Sequence, residues 1–152
     1  MTYTYRFAHL KEAPALKIGD SVSQGDVIGV MGNTGASEAI HLHEDIVKGV
    51  KTKNWRLRDY DRGAVIPCPE ELARSLNKNL FGVYPVVTTA YDDHDYFLKY
   101  GLHHKAFDLV PEDRHETRGH YTIRWPFGED GRVTFSGYDN GYGFSVLIAY
   151  EA

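Results

Sequence analysis

Ile40-His41-Leu42-His43-Glu44-Asp45-Ile46 reads as a β-strand, and strand alternation projects His41 and His43 from one face, about 7 Å apart. That spacing suits one metal ligand beside one proton-transfer group. It suits equally a pair of surface histidines on a half-polar strand, so the meaning of the pair depends on what the rest of the chain sets opposite it.

Working outward, most of the pattern is β. Thr2–His9 alternates, with Tyr3, Tyr5 and Phe7 on one face. The turn-rich run Gly19–Asp26 leads into an apolar strand, Val27–Gly32. Gly32-Asn33-Thr34-Gly35 breaks that strand, because glycine and asparagine supply the positive φ of a tight turn. Lys48–Arg62 is polar and irregular. Pro69–Asn77 has proline and acids at its start and leucines at i and i+4, which predicts one short helix docked on the core by Leu72, Leu76 and Leu80. Strands are expected at Val83–Thr89 and Ala106–Val110, with a polar loop at Tyr91–Asp95. Arg114–His120 reads as an inserted loop, Asp130-Gly131 as a hairpin turn before Arg132–Gly137, and Phe144–Tyr150 as a closing strand. The expected fold class is mainly β with one short helix.

At 152 residues the chain fits a single domain, large enough to bury a core without cross-links. A net charge of -4 and a pI near 6.0 leave no broad electrostatic footprint for nucleic acid, and the basic run Lys48–Arg58 is short and interrupted. No apolar run could span a bilayer, so no membrane partner is expected. Met1–Arg6 lacks the plan of a signal peptide, which leads to the expectation of a protein made in the cytoplasm that reaches any outside target by another route. The one cysteine, Cys68, lies between two prolines and offers neither a disulfide nor a cysteine-based zinc cage. Eight histidines, by contrast, invite a metal.

His104 and Asp108 form His-x-x-x-Asp, both good ligands for a borderline cation such as zinc. On a regular strand they would stand about 13 Å apart, so the segment must bend if both hold one ion. With His43 they make three nitrogen and oxygen ligands and leave a fourth tetrahedral position open, as in catalytic zinc sites. No His-Glu-x-x-His is present, so histidines would have to move the proton. His103 is a neighbour pointing elsewhere; His94, His115 and His120 fall in polar loops and read as surface histidines.

Several segments carry a family resemblance. Phe7-Ala8-His9-Leu10, Ile18–Gly29, Thr34-Gly35 and His41-Leu42-His43 resemble, in order and spacing, the second half of the lysostaphin-type (LytM-like) zinc endopeptidases of peptidoglycan. Their Tyr-x-His-Leu, Val-Gly-Asp-x-Val-x-x-Gly-x-x-Ile-Gly, Thr-Gly and His-Leu-His motifs are the counterparts. The family's first half comes last: His104–Asp108 resembles its His-x-Gly-hydrophobic-Asp motif, and Asp130–Val133 and Gly141–Ile148 resemble two of its strands. The resemblance implies a two-sheet antiparallel β sandwich or groove, duplicated-hybrid-motif-like and circularly permuted, in which 1–47 matches the C-terminal half, 84–152 the N-terminal half, and 48–83 joins them. Exchange of halves between two chains is the alternative arrangement.

Carried across, the resemblance implies that His104, Asp108 and His43 bind Zn2+ and that His9 and His41 are catalytic. Ala106 departs from the family's glycine, Ile40 from its proline and Glu44 from an aromatic. The expected function is a zinc-dependent endopeptidase acting on bacterial peptidoglycan, as a phage lysin or tail-associated enzyme with virion components as further partners. A phosphocarrier resembling glucose-type enzyme IIA domains would share the His104–Asp108 motif without using His9 or the His41–His43 pair. A lipoyl-type carrier lacks a lysine at the hairpin tip, and a catalytically silent domain is the remaining reading.

Overall fold

The computed structural model describes residues 1–37, 39–113 and 121–152. Arg114–His120, expected to form a polar insert, lies outside them, and His115 and His120 with it.

Strand β1 (Thr2–Leu10) runs through the middle of a seven-stranded antiparallel sheet. The other members are β2 (Ser21–Val22), β4 (Leu42–Lys48), β5 (Pro85–Thr89), β6 (Phe107–Pro111), β8 (Gly131–Asp139) and β9 (Gly143–Glu151). The order across the sheet is β2-β8-β9-β1-β4-β6-β5. A second sheet pairs β3 (Val27–Val30) with β7 (Thr122–Arg124). The mainly β, two-sheet antiparallel class expected from sequence is thus the observed one. The first and last strands are antiparallel neighbours, with Thr2 opposite Glu151 and the Met1 amino group donating to the Ala152 carbonyl at 3.2 Å.

Alternation along β1 and β4 divides the sheet into two unlike faces. Tyr5, Phe7, Leu42 and Ile46 point into the main core, where Ile28, Ile123 and Trp125 meet them from the small sheet and the stretch that follows it. Burying such aromatic and branched side chains contributes about 1.5–3 kcal/mol each. On the opposite face Val47 and Leu147 pack with Trp55, Tyr60 and Val65 in a smaller cluster. Between that cluster and the histidines sits an ion pair, Arg6 and Asp45, directly opposite each other on β1 and β4 and both fully buried.

Three short helices are present among the described residues, so the expectation of one is corrected: α1 (Leu57–Asp61), α2 (Pro69–Arg74) and α3 (His94–Tyr100). Only α2 was expected; Leu72 and Leu80 dock it and the turn that follows, and Leu76 is half-buried against the same core. α1 lies in the stretch read as irregular, and α3 begins in the supposed polar loop, capped by the Asp93 carboxylate accepting from the Tyr96 amide at 3.0 Å and stopped by left-handed Gly101. No residue of α3 is buried, so it has no apolar period for a sequence reading to detect. Asp130-Gly131 is not a hairpin turn either: Gly131 opens β8, which pairs with β2 and β9, and the tight hairpin is instead the one joining β8 to β9. No helix among the described residues is long and apolar enough to cross a membrane.

Two buried carboxylates on β4 respond to solvent in opposite ways. Burial would raise the Asp45 carboxyl, but the Arg6 guanidinium holds it well below the usual carboxylate range. Arg6→Met leaves that charge uncompensated, and urea denaturation is expected to show a loss of about 3–5 kcal/mol. Glu44 faces the core, where Ser75 donates to it at 2.6 Å and Tyr5 also donates, and burial pushes it up to about 7. Because its folded value is raised, the stability it contributes is full below about pH 4.5 and is lost as pH rises through about 7. The stability difference between wild type and Glu44→Gln should therefore fall over that window, and a pH-independent difference would refute the assignment.

Candidate metal centre

Each histidine of the cluster is aimed by a different local device. β4 places His43 opposite Asp108 of β6, so both side chains rise from the same face. His41 precedes β4 and bridges to Gly32, which keeps it on that face too. His104 lies before β6 begins, where the chain has left the strand; the bend required of His-x-x-x-Asp is present, with the Ala106 Cβ accommodated in a fully buried position. His9 is the unusual one. Strict alternation along β1 would send it into the core with Tyr5 and Phe7, but the register slips between Phe7 and Leu10, and His9 takes a left-handed φ of 61°. This bulge turns the ring onto the His43 face, a re-aiming typical of functional strand irregularities.

The loop opposite holds His9 there. Its Nδ1 meets the Thr34 carbonyl at 2.7 Å, and its amide donates to the Tyr142 carbonyl at 2.8 Å. Thr34 can approach only because Gly143 lacks a side chain: at its φ of 67° a Cβ would stand 2.3 Å from the Thr34 hydroxyl oxygen.

The five residues form one cluster. Asp108 Oδ1 lies 3.2 Å from His43 Nδ1, 3.5 Å from His104 Nε2 and 3.6 Å from His41 Nε2. The His9 ring centre is 5.1 Å from that of His41 and 5.8 Å from that of His43. His104 Nδ1 faces the Ala90 carbonyl at 3.0 Å and His41 Nδ1 the Ala39 carbonyl at 2.7 Å, so in both rings Nε2 is the free atom turned inward. His43 is reversed: Nδ1 faces Asp108, and Nε2 is buried without a hydrogen-bond partner, 3.6 Å from Asp45 Oδ1.

One donor each from His43, His104 and Asp108 falls within a 4.8 Å group. Donors on a tetrahedral zinc with bonds of about 2 Å stand about 3.3 Å apart, close to the 3.2 and 3.5 Å separations here. The nitrogen and oxygen donor set therefore fits a zinc ion. Burial would raise the Asp108 carboxyl, but His104 and His43 hold it well below its usual range. Burial would lower His43, yet Asp108 and Asp45 raise it to about 9. His9 is lowered to about 4 by burial and then by His43, so it is neutral at neutral pH.

The cluster lies at the waist of a cleft. One lobe, about 510 Å³, reaches Arg56, Arg58 and Tyr142; the other, about 730 Å³, reaches Asp93, Lys99 and Tyr100. His9, His43 and Tyr96 line both.

Residues 1–55 match Peptidase family M23. The first third of the chain is M23-like. A protein described as an uncharacterized metalloprotease, from Buchnera aphidicola subsp. Baizongia pistaciae (strain Bp), is 39% identical over 61 residues, covering 38% of this chain and 16% of that protein. No solved structure matches. These matches support the LytM-like resemblance and a peptidase of the metallo type. The M23-like segment contains His9, His41 and His43, while His104 and Asp108 come from outside it.

His103 and His94 stand apart from the cluster as expected; both are exposed, and His103 stacks on Phe97. The sequence reading missed Tyr96, which packs tilted against His104 with ring centres 4.7 Å apart, and Tyr142, which packs beside His9 and His43. For Tyr96 the available signal was the Asp93–Gly101 capping pair. Gly143→Ala should push Thr34 away and release His9, costing about 1–3 kcal/mol; urea denaturation together with the NMR shifts of the His9 ring measures both effects.

Proposed function

We propose that this chain is a zinc-dependent endopeptidase that hydrolyses peptide bonds of bacterial peptidoglycan. What supports the reading is the convergence of His43, His104 and Asp108 on one point, with His9 and His41 beside it at the waist of an open cleft. Zinc held by those three residues would supply Lewis acidity, lowering the pKa of water and polarising a carbonyl.

The remaining chemistry belongs to the chain. Neutral His9, anchored through Nδ1 to Thr34, presents Nε2 as a base. His41, anchored through Nδ1 to Ala39, presents its Nε2 from the other side. Between them the two rings take the proton of the attacking water and return one to the leaving amine. The two lobes let an extended peptide pass on both sides of the scissile bond. A phosphocarrier would use two histidines, whereas four rings and a carboxylate meet here, which favours the peptidase.

The proposal includes the circular permutation, with 48–83 joining the family's two halves in a single 1–152 domain. The antiparallel contact of β9 with β1 supports it, since a short hairpin between Glu151 and Thr2 would restore the family's order. All five polar residues are assembled within one chain, which favours this over exchange of halves between two chains.

Metal analysis and digestion of purified cell walls test the proposal together. His43→Ala, His104→Ala and Asp108→Ala should each lose zinc; His9→Ala and His41→Ala should retain it and lose turnover by about 100-fold or more. Full zinc stoichiometry in the first three variants would exclude this centre.

A further inference from the structure

Asp45 has one acceptor position to spare, and it faces the one buried histidine nitrogen left without a partner among the described residues. A carboxylate oxygen carries two lone pairs. Asp45 Oδ2 is crowded by three donors: Arg6 Nη2 at 2.6 Å, the Tyr60 hydroxyl at 2.6 Å and Trp55 Nε1 at 3.0 Å. Oδ1 receives only Arg6 Nε, at 2.8 Å, and lies 3.6 Å from His43 Nε2. That separation is a little longer than a hydrogen bond, but the cost of leaving an N–H buried and unpaired favours closing a gap of a few tenths of an ångström.

We propose that Asp45 is a positioning residue: it holds the proton of His43 on Nε2, so that Nδ1 turns its lone pair toward Asp108 and His104. The inference rests on the metal reading above. With the proton on Nδ1 instead, His43 would donate to Asp108, and both groups would be withdrawn from an ion. Arg6 donates to both Asp45 oxygens, from Nε to Oδ1 and from Nη2 to Oδ2, which fixes the plane of the carboxylate. Trp55 and Tyr60 hold its orientation, and the Trp55 carbonyl accepts from Arg6 Nη1 at 2.6 Å. Arg6 in turn lies between the rings of Trp55 and Tyr142, 4.0 and 3.7 Å from their centres. The segment around Trp55 and Tyr60 thereby acquires a role in the site: it anchors the carboxylate that orients a ligand. Tyr60 lies beyond the M23-like residues 1–55, so part of this anchor belongs to the stretch joining the two halves.

The test is zinc affinity, measured by competition with a chromophoric chelator, together with NMR of the histidine ring nitrogens in the zinc-loaded protein. Wild type should show His43 coordinated through Nδ1 with its proton on Nε2; coordination through Nε2 overturns the proposal. Asp45→Asn should weaken zinc binding roughly 10- to 100-fold. Tyr60→Phe, which removes one anchor and no charge, should weaken it less and in the same direction. If Asp45→Asn does not fold, Tyr60→Phe decides. Tyr150→Phe deletes a hydroxyl bonded to Glu71 on the far face and should leave the affinity unchanged; an equal loss there would mean general loosening and overturn the proposal. Wild-type affinity in both Asp45→Asn and Tyr60→Phe overturns the inference alone, whereas failure of the wild type to bind zinc removes the metal reading and the inference with it.

Discussion

Arg6 and Asp45 meet across two central strands with no access to water, and most of the arrangement around the histidines follows from satisfying them. Removing a guanidinium and a carboxylate from solvent costs several kcal/mol per ion unless every donor and lone pair is met. The sheet itself supplies the bidentate geometry, because Arg6 and Asp45 are register partners. It cannot supply the rest. The chain after β4 has to fold back so that Trp55 and Tyr60 donate to Asp45 and the Trp55 backbone accepts from Arg6. That return path also covers the apolar end of the same face, where Val65 and Trp55 pack against Val47 and Leu147.

The result is one sheet face with three zones along β1 and β4: an apolar cluster, an ion pair and a group of histidines. Their proximity has chemical consequences. Asp45 joins the charged zone to the histidine zone through His43, and Tyr142 packs on Arg6, His9 and His43 alike. The opposite face is almost wholly apolar, and the Glu44 carboxyl that intrudes there is met by hydroxyls rather than by a cation. One strand, β4, thus carries on one face a carboxylate that Arg6 holds below its usual range and, at the preceding residue, a carboxylate whose pKa burial has raised.

The cleft depends on elements that contribute little to the core. α3 has no buried residue, yet it brings Tyr96 against His104 and forms the wall of one lobe. The loop carrying Thr34 is held by close backbone approach to the β8–β9 turn, where Gly35 and Gly143 leave no room for a side chain. Paired strands therefore fix His43 and Asp108, the bend before β6 brings in His104, and the glycine-limited approach of the Thr34 loop holds the His9 ring in place.

Much of this was legible in the residues themselves. Alternation in Thr2–His9 and in the strand after Ile40 marked the two central strands, and the pairing of His43 with His104 and Asp108 followed from donor chemistry and motif resemblance. The helix over Pro69–Arg74 announced itself by proline, acids and spaced leucines, whereas α1 and α3 bury too little to leave a period. What alternation could not reveal was the bulge at His9, since a left-handed residue reverses the face without changing the pattern of residue types. Nor could it show that Asp45 is buried beneath Trp55 and Tyr60, because the meaning of a carboxylate depends on which distant donors surround it. The sequence by itself determined the strands, the class and the identity of the polar groups, through local periodicity and chemistry; only the tertiary structure decided which face each group occupies and which partners satisfy it, because burial and hydrogen bonding are set by contacts between residues far apart in the chain.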